Sequence, residues 1–451
     1  MSYGEVKYTT RSIALAFTIS FLIAISLLYS PVVPDILYLV VAVVLGYALS
    51  MRLLVELGSR TAYRLKVSRH IEGSWIEGRE VSIKTRIENP TMLPIVYAEI
   101  SDNYPRLFHK KKGINTTSTP IPAKGFIELN YTIVPRLGLH VFDGLEVLVK
   151  DPLGLFAYKL IVPNSRQVVR VYPAPIPLPR RIIGRWVTTS LGLSKSRIRG
   201  IGQEFMMLRE YVPGDDYRFI DWKAFARHNK PFVKVFEREA SLYLVLVLDA
   251  APYMFYGLLG KTPLETIVRV IAGLLKNLAY KRDWISLIVR TYPTPRIIGL
   301  GRGRRQYHRI MRELASIKWV QKEPPISLPH ILRESIAKLP KRTKALFLVF
   351  TSIGKYTNGN ELQELIDAVS KARALNHDVV IVSPLPELYE LETISGIEAS
   401  LYTILASTSI QRAQKAATAL CRRGIKVIQV GPSSLLQRLI SFIETYRSVA
   451  G

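Results

Sequence analysis

The stretch from Gly202 to Glu239, GQEFMMLREYVPGDDYRFIDWKAFARHNKPFVKVFERE, limits the fold more than any other part of the chain. Acids (Glu204, Glu210, Asp215, Asp216, Asp221, Glu237) alternate with bases (Arg209, Arg218, Lys223, Arg227, Lys234) around Phe205, Tyr211 and Trp222. A solvated linker has no need of those aromatics, and an ordinary core strand cannot hold so many charges. The segment predicts a partly buried ion-pair network, held rigid by apolar packing, that adds geometric specificity more than net stability.

Two apolar segments open the sequence. Ser12 to Pro34 carries no charge, and Ser12–Tyr29 is long enough to cross most of a bilayer as a helix. A second runs from Ile36 to about Leu54, with Arg52 placed to snorkel. The connector SPVVPD reads as a tight turn, and a cleaved signal peptide fits poorly because a second span follows at once. Lys7 and Arg11 precede the first span, while Arg52, Arg60, Arg64, Lys66 and Arg69 follow the second. The positive-inside rule then predicts a multi-pass protein of the cell membrane, with both termini and the soluble domains in the cytoplasm.

The net charge is +27. Six Lys/Arg and no acid lie between Arg180 and Gly200, and sixteen bases against four acids between Lys281 and Lys344. Anionic lipid or an acidic protein accounts for this better than nucleic acid, for which no binding motif is present. Much of it also fits ordinary solvated surface. The single cysteine, Cys421, cannot form an internal disulfide, and the seven histidines show no zinc-ligand spacing. GLGRGRRQ (Gly299–Gln306) lacks the Gly-Lys-Ser/Thr ending of a P-loop and reads as a basic turn before a helix. No Ser/His/Asp or Cys/His set supports nucleophilic catalysis.

Four regions follow: a transmembrane hairpin over 1–66 (spans about 12–29 and 36–54), an all-β sandwich-like domain over 67–175, a basic linker with the charged segment over 176–240, and an α/β domain over 241–451. VSIKTRI (Val81–Ile87) and IELNYTI (Ile127–Ile133) alternate as half-buried strands do. From Leu242 the pattern turns to continuous apolar strands at Leu242–Ala250, Ile285–Val289, Ala345–Thr351, Asp378–Ser383 and Lys426–Val430. Helices fit at Leu264–Lys281, Arg304–Ile317, Leu328–Lys338, Glu361–Ala374, Ile410–Arg423 and Ser434–Ser448, giving a doubly wound parallel sheet.

The charged segment, with RLGLHVFDGLEVLVKDPLGLF (Arg136–Phe156) before it, closely resembles the signature of the domain-of-unknown-function 58 family, prokaryotic proteins with a von Willebrand factor A-like domain. The resemblance implies a site at the C-terminal strand edge, where such domains often hold a divalent cation through Asp-x-Ser-x-Ser and later Thr and Asp side chains. Here those positions are Asp249, Ala251 and Tyr253, with Ser327 at the Thr position and Ser352 at the Asp position. Alanine donates nothing and tyrosine is too bulky, so a degenerate site without metal or other cofactor is expected, with Asp249 as a structural acceptor. Members are often encoded beside MoxR-type AAA+ ATPases and other von Willebrand A-like proteins. That association implies a membrane-anchored, non-enzymatic adaptor or chaperone-like protein, its partners being the bilayer and such an ATPase or a related von Willebrand A-like protein. The alternative is a membrane-tethered metal-dependent hydrolase or nuclease, in which Asp216, Asp221 and Lys223 mimic an Asp…Asp-x-Lys site. Those residues lie too close in sequence for the separate strands such sites draw on.

Overall fold

The computed structural model describes residues 7–28, 36–176, 199–237, 242–257, 260–278, 283–319, 322–340, 343–356, 359–385, 387, 396–431 and 435–450. Contacts divide the chain into two units, Met1–Tyr172 and Pro173–Gly451. The basic run 180–198 of the expected linker lies outside the described residues.

The first unit opens with β1 (Lys7–Tyr8), α1 (Thr10–Leu28) and α2 (Ile36–Tyr63). Among the described residues one helical segment, Leu39–Tyr63, is long and apolar enough to cross a bilayer, while Thr10–Ile25 is apolar but shorter. The shorter one rises about 24 Å against roughly 30 Å of hydrocarbon. Two spans were expected; one of sufficient length is found. The end of α2 also moves, from the expected Leu54 to Tyr63. Its last turns carry Val55, Ser59 and Ala62, a stripe that packs on protein and is buried. At Gly58 a Cβ would stand 2.9 Å from Val149 Cγ1, so glycine allows this close approach.

Ten strands follow: β2 (Lys66–Glu72), β3 (Val81–Glu88), β4 (Ile95–Asn103), β5 (His109–Gly113), β6 (Thr116–Ile121), β7 (Phe126–Val134), β8 (Gly138–Phe142), β9 (Gly144–Lys150), β10 (Phe156–Ile161) and β11 (Gln167–Val171). They form antiparallel sheets of order β1-β10-β9-β4-β6 and β2-β3-β7-β5, with β11 paired to β8. Ile87 and Leu129 of one sheet share a cluster of buried side chains with Ile95, Val147 and Val149 of the other. The Asp151–Gly154 turn closes with Gly154 at φ 67° and its N–H donating to the Asp151 carbonyl.

Asp102 on β4 is fully buried. It accepts from Arg69 Nη2 at 2.6 Å, Thr85 Oγ1 at 2.5 Å and Tyr131 Oη at 2.8 Å. Three strands of one sheet thus converge on a carboxylate of the other. Burial, then the Asp102 charge, pushes the Tyr131 hydroxyl above its usual range. Arg69, counted above among the juxtamembrane bases, is therefore spent inside the unit.

The second unit begins with β12 (Arg199–Glu210), α3 (Trp222–His228) and β13 (Phe232–Glu237). An α/β layer follows: β14 (Tyr243–Asp249), α4 (Pro263–Leu278), β15 (Trp284–Arg290), β16 (Arg296–Gly301), α5 (Gly303–Leu314), α6 (Leu328–Ala337), β17 (Ala345–Phe350), α7 (Gly359–Ala374), β18 (Asp378–Pro384), α8 (Ile397–Arg422), β19 (Lys426–Val430) and α9 (Leu435–Ala450). The sheet order is β16-β15-β14-β17-β18-β19, parallel except for β16. This is a doubly wound arrangement, with its reversal of strand order beside β14. Ile267, Val270, Ile271 and Leu274 of α4 are all buried, as their spacing predicts.

Two boundaries depart from expectation. Gly299–Gly301 belong to β16, which the sequence conceals because RIIGLG is short and carries two glycines. Gln306 holds it, donating from Nε2 to the carbonyls of Ile285 and Gly299 at 2.8 Å. Helix α8 starts at Ile397, well before the expected Ile410.

His377 accepts the Ala345 N–H through Nδ1 at 3.3 Å, and burial holds its pKa below the usual value. The unfolded chain therefore protonates first, near pH 6.5. The stability His377 contributes is complete above that pH and is lost as pH falls through it toward the folded value. His377→Asn is expected to flatten the dependence of the urea midpoint on pH below about 6.5; an unchanged slope would remove His377 from the account.

Candidate functional site

Strand β14 ends at Asp249, which is in parallel register with Arg290 at the end of β15. On the other side β17 ends at Phe350, bringing Thr351 to the same level. These C-terminal ends beside the reversal of strand order are where open α/β sheets gather ligands. Asp249 is fully buried. Its Oδ1 accepts from Arg290 Nη1 at 2.9 Å. Its Oδ2 accepts from Thr351 Oγ1 at 2.8 Å and from the Tyr253 hydroxyl, which itself lies 3.1 Å from Thr351 Oγ1.

Arg290 fans outward from this contact. It donates from Nε to the Ile326 carbonyl at 2.8 Å and from Nη2 to Glu323 Oε1 at 3.1 Å. Glu323 also accepts from Lys355, whose Nζ stands 4.8 Å over the Tyr253 ring. Charge thus alternates Asp249, Arg290, Glu323, Lys355 from the core to the half-exposed edge. Burial opposes the Arg290 charge, but the Asp249 carboxylate outweighs it and keeps the guanidinium protonated. Burial first, then the Asp249 charge, pushes the Tyr253 and Tyr356 hydroxyls above their usual range. For Glu323, burial is outweighed by Lys355 and Arg290, which hold its carboxyl below the usual range.

Both oxygens of Asp249 are engaged by groups of this chain, and a guanidinium stands where a cation would neutralise the carboxylate. The expected donors are only partly in place. Ala251 is buried and precedes the 3-10 helix Pro252–Phe255, which delivers Tyr253 to Asp249. Ser327 and Ser352 precede α6 and the 3-10 helix Ile353–Lys355, without side-chain capping bonds. The hydroxyl at Asp249 comes instead from Thr351, next to Ser352. Neither Thr351 nor Arg290 was anticipated. A base aligned with the strand-end acid on the neighbouring buried strand was the available signal.

The charged segment is built differently from expectation. β12 and β13 pair antiparallel, with Glu204 opposite Glu237; the side chains of both acids lie outside the described residues. Asp216 caps the 3-10 helix Tyr217–Phe219, accepting the Arg218 N–H at 3.0 Å. Asp221 caps α3, accepting the N–H groups of Lys223 and Ala224 at 3.0 and 3.1 Å. The Ala224 N–H, then nearby Lys234 at 3.5 Å, holds its carboxyl below the usual range. Arg209 pairs with Asp215, and Arg218 stands 3.9 Å from Asp216 at an exposed position. Arg227 and Lys223 are exposed, and among the described residues neither makes an ion pair.

These charges are therefore mostly caps and local pairs. The aromatics do not bury them: Trp222 is 66% exposed and Tyr217 69%. Trp222, expected as an aromatic anchor, meets Phe225 edge-on at 6.2 Å yet stays exposed. Asp216 and Asp221 direct their oxygens at their own backbone, which disfavours the metal-site reading. Among the described residues no three His, Cys, Asp or Glu side chains gather as metal ligands.

No curated protein matches the chain. Among solved structures, similar ones include an aerotolerance-related membrane protein from Bacteroides fragilis NCTC 9343 carrying multiple mutations to serines (14% identity, 46% of this chain, 100% of that one, TM-score 0.31). The SpRpn10 VWA domain is 12% identical over 45% of this chain and 94% of its own, with TM-score 0.27. Manganese-loaded Plasmodium vivax TRAP protein is 13% identical over 32% and 57%, with TM-score 0.24. A further match is at the level of sequence family. Over residues 207–387, from within β12 through the strands that carry Asp249, Arg290 and Thr351, the chain matches the model of the family described as Protein of unknown function DUF58.

Proposed function

We propose that this protein is a membrane-anchored, non-enzymatic interaction protein whose α/β domain works without a bound metal. The observation that carries the reading is the saturation of Asp249 by Arg290, Tyr253 and Thr351. A site neutralised by its own arginine has no charge left for a divalent ion to satisfy, and it holds no free nucleophile or base. What it offers a partner is a fixed surface.

The Leu39–Tyr63 segment serves as the anchor. With α1 as a second crossing, the bases at Lys7 and Arg11 and at Arg52, Arg60 and Arg64 favour a cytoplasmic location for both termini and both units. The family resemblance adds the partner class: a MoxR-type AAA+ ATPase or another von Willebrand A-like protein, with an adaptor or chaperone-like role toward its client.

Two arms of one experiment test this. In intact cells, membrane-impermeant maleimide is expected to leave the exposed Cys421 unlabelled until the membrane is opened. Affinity capture from native membranes with ATP present is expected to retain an AAA+ ATPase, and to lose it when ATP is withdrawn. Labelling of intact cells defeats the topology; capture without any ATPase defeats the partnership.

A further inference from the structure

Strand β19 ends the six-stranded sheet, and among the described residues it pairs only with β18. Beside it opens a groove of about 700 Å³, lined by Gln414 and Cys421 of α8, Val427 and Gln429 of β19, and Arg438 of α9. Two observations mark its floor as open to a ligand. The Gln429 carbonyl faces the groove, since it accepts from Arg438 Nη1 at 3.0 Å. The Gln429 Nε2 is buried yet has no hydrogen-bond partner among the described residues. An end strand of this kind presents main-chain donors and acceptors at the spacing of a further strand.

The walls select the charge of the occupant. From Thr403 to Ile443 the chain carries six Lys/Arg and no Asp or Glu. A second depression on α8 is lined by Lys415 and Arg422. A basic segment would be repelled from such walls, and an acidic one is attracted and oriented.

We propose that the β19 edge binds an extended acidic segment of a partner protein, which adds to the sheet as a seventh strand and sets its carboxylates against Lys415, Arg422 and Arg438. Arg438 then exchanges its bond to the Gln429 carbonyl for a carboxylate, freeing that carbonyl for the incoming N–H. The surface depends neither on the Asp249 site nor on membrane attachment, so it stands or falls alone.

The test uses the full chain in detergent micelles and a fluorescent octapeptide of alternating Val and Glu, followed by anisotropy. Saturable binding is expected, weakened at least about tenfold by Arg422→Glu with Arg438→Glu, and abolished when alternate peptide amides are N-methylated. A bromoacetyl group on the peptide terminus is expected to alkylate Cys421 faster than free bromoacetamide does. The proposal is overturned if the alternating peptide does not bind, or if its N-methylated form binds equally, which would mean charge attraction without strand addition. Equal binding of a Val–Lys octapeptide would overturn it as well. The N-methyl comparison uses the unaltered protein and so holds even if the double variant misfolds.

Discussion

Arg290→Met is expected to cost the second unit about 3–5 kcal/mol, because removing one partner of a buried ion pair leaves the other charge stranded. Asp249 has no exposure to water, and among the described residues no cation but Arg290 lies within hydrogen-bond reach of it. Tyr253 and Thr351 each supply one hydroxyl, which cannot neutralise a carboxylate in that setting. The loss also spreads outward: Glu323 and the carbonyl of Ile326 each lose a donor. Adding Asp249→Leu to Arg290→Met is expected to recover most of the stability, since replacing a buried pair by apolar groups is often neutral. Urea unfolding followed at the second unit, for both single variants and the double, gives the coupling. If Arg290→Met costs under about 1 kcal/mol, the pair is not what closes this site.

Arg69→Met is expected to have an effect of similar size, about 3–5 kcal/mol, confined to the first unit. Arg69 and Asp102 are buried, and the carboxylate also gathers Thr85 and Tyr131 from neighbouring strands. The consequence differs from that at Arg290, because this cluster holds two sheets together. Loss of the pair is expected to loosen their shared core, read as faster amide exchange along β3 and β4. Exchange that stays slow with only a lowered midpoint would limit Asp102 to an energetic role. Each unit thus buries one aspartate among an arginine, a threonine and a tyrosine, although the two folds share no topology.

What the sequence made legible depends on how local the cause is. Lys426–Val430 was read to the residue, because a buried strand shows itself in consecutive side chains. Asp249 as a structural acceptor was legible too, since Ala251 and Tyr253 stand beside it in the chain. Arg290 was not, because its placement depends on strand register, and nothing local singles it out among 62 Lys and Arg. Thr351, one residue before Ser352, was not singled out, because its place beside Asp249 depends on the pairing of β14 with β17. In the charged segment the acids were read as pair members; Asp216 and Asp221 do stand near Arg218 and Lys234, but they also cap helices too short to announce themselves. The exposure of Trp222 was invisible because composition shows what could be buried, not what is available to cover it. The end of α2 was misjudged for a related reason: Val55 and Ala62 are apolar whether they face lipid or a sheet.

The most direct measurement is the thermal unfolding of the purified chain with Mg²⁺ or Mn²⁺ added to millimolar concentration. An ion bound to the folded state stabilises it by about 2.7 kcal/mol at a hundred times its dissociation constant, which a melting curve detects readily. With Arg290 seated against Asp249, the transition is expected not to move. A saturable upward shift that disappears in Asp249→Asn would contradict the account, because it would mean that the arginine yields its place to a metal.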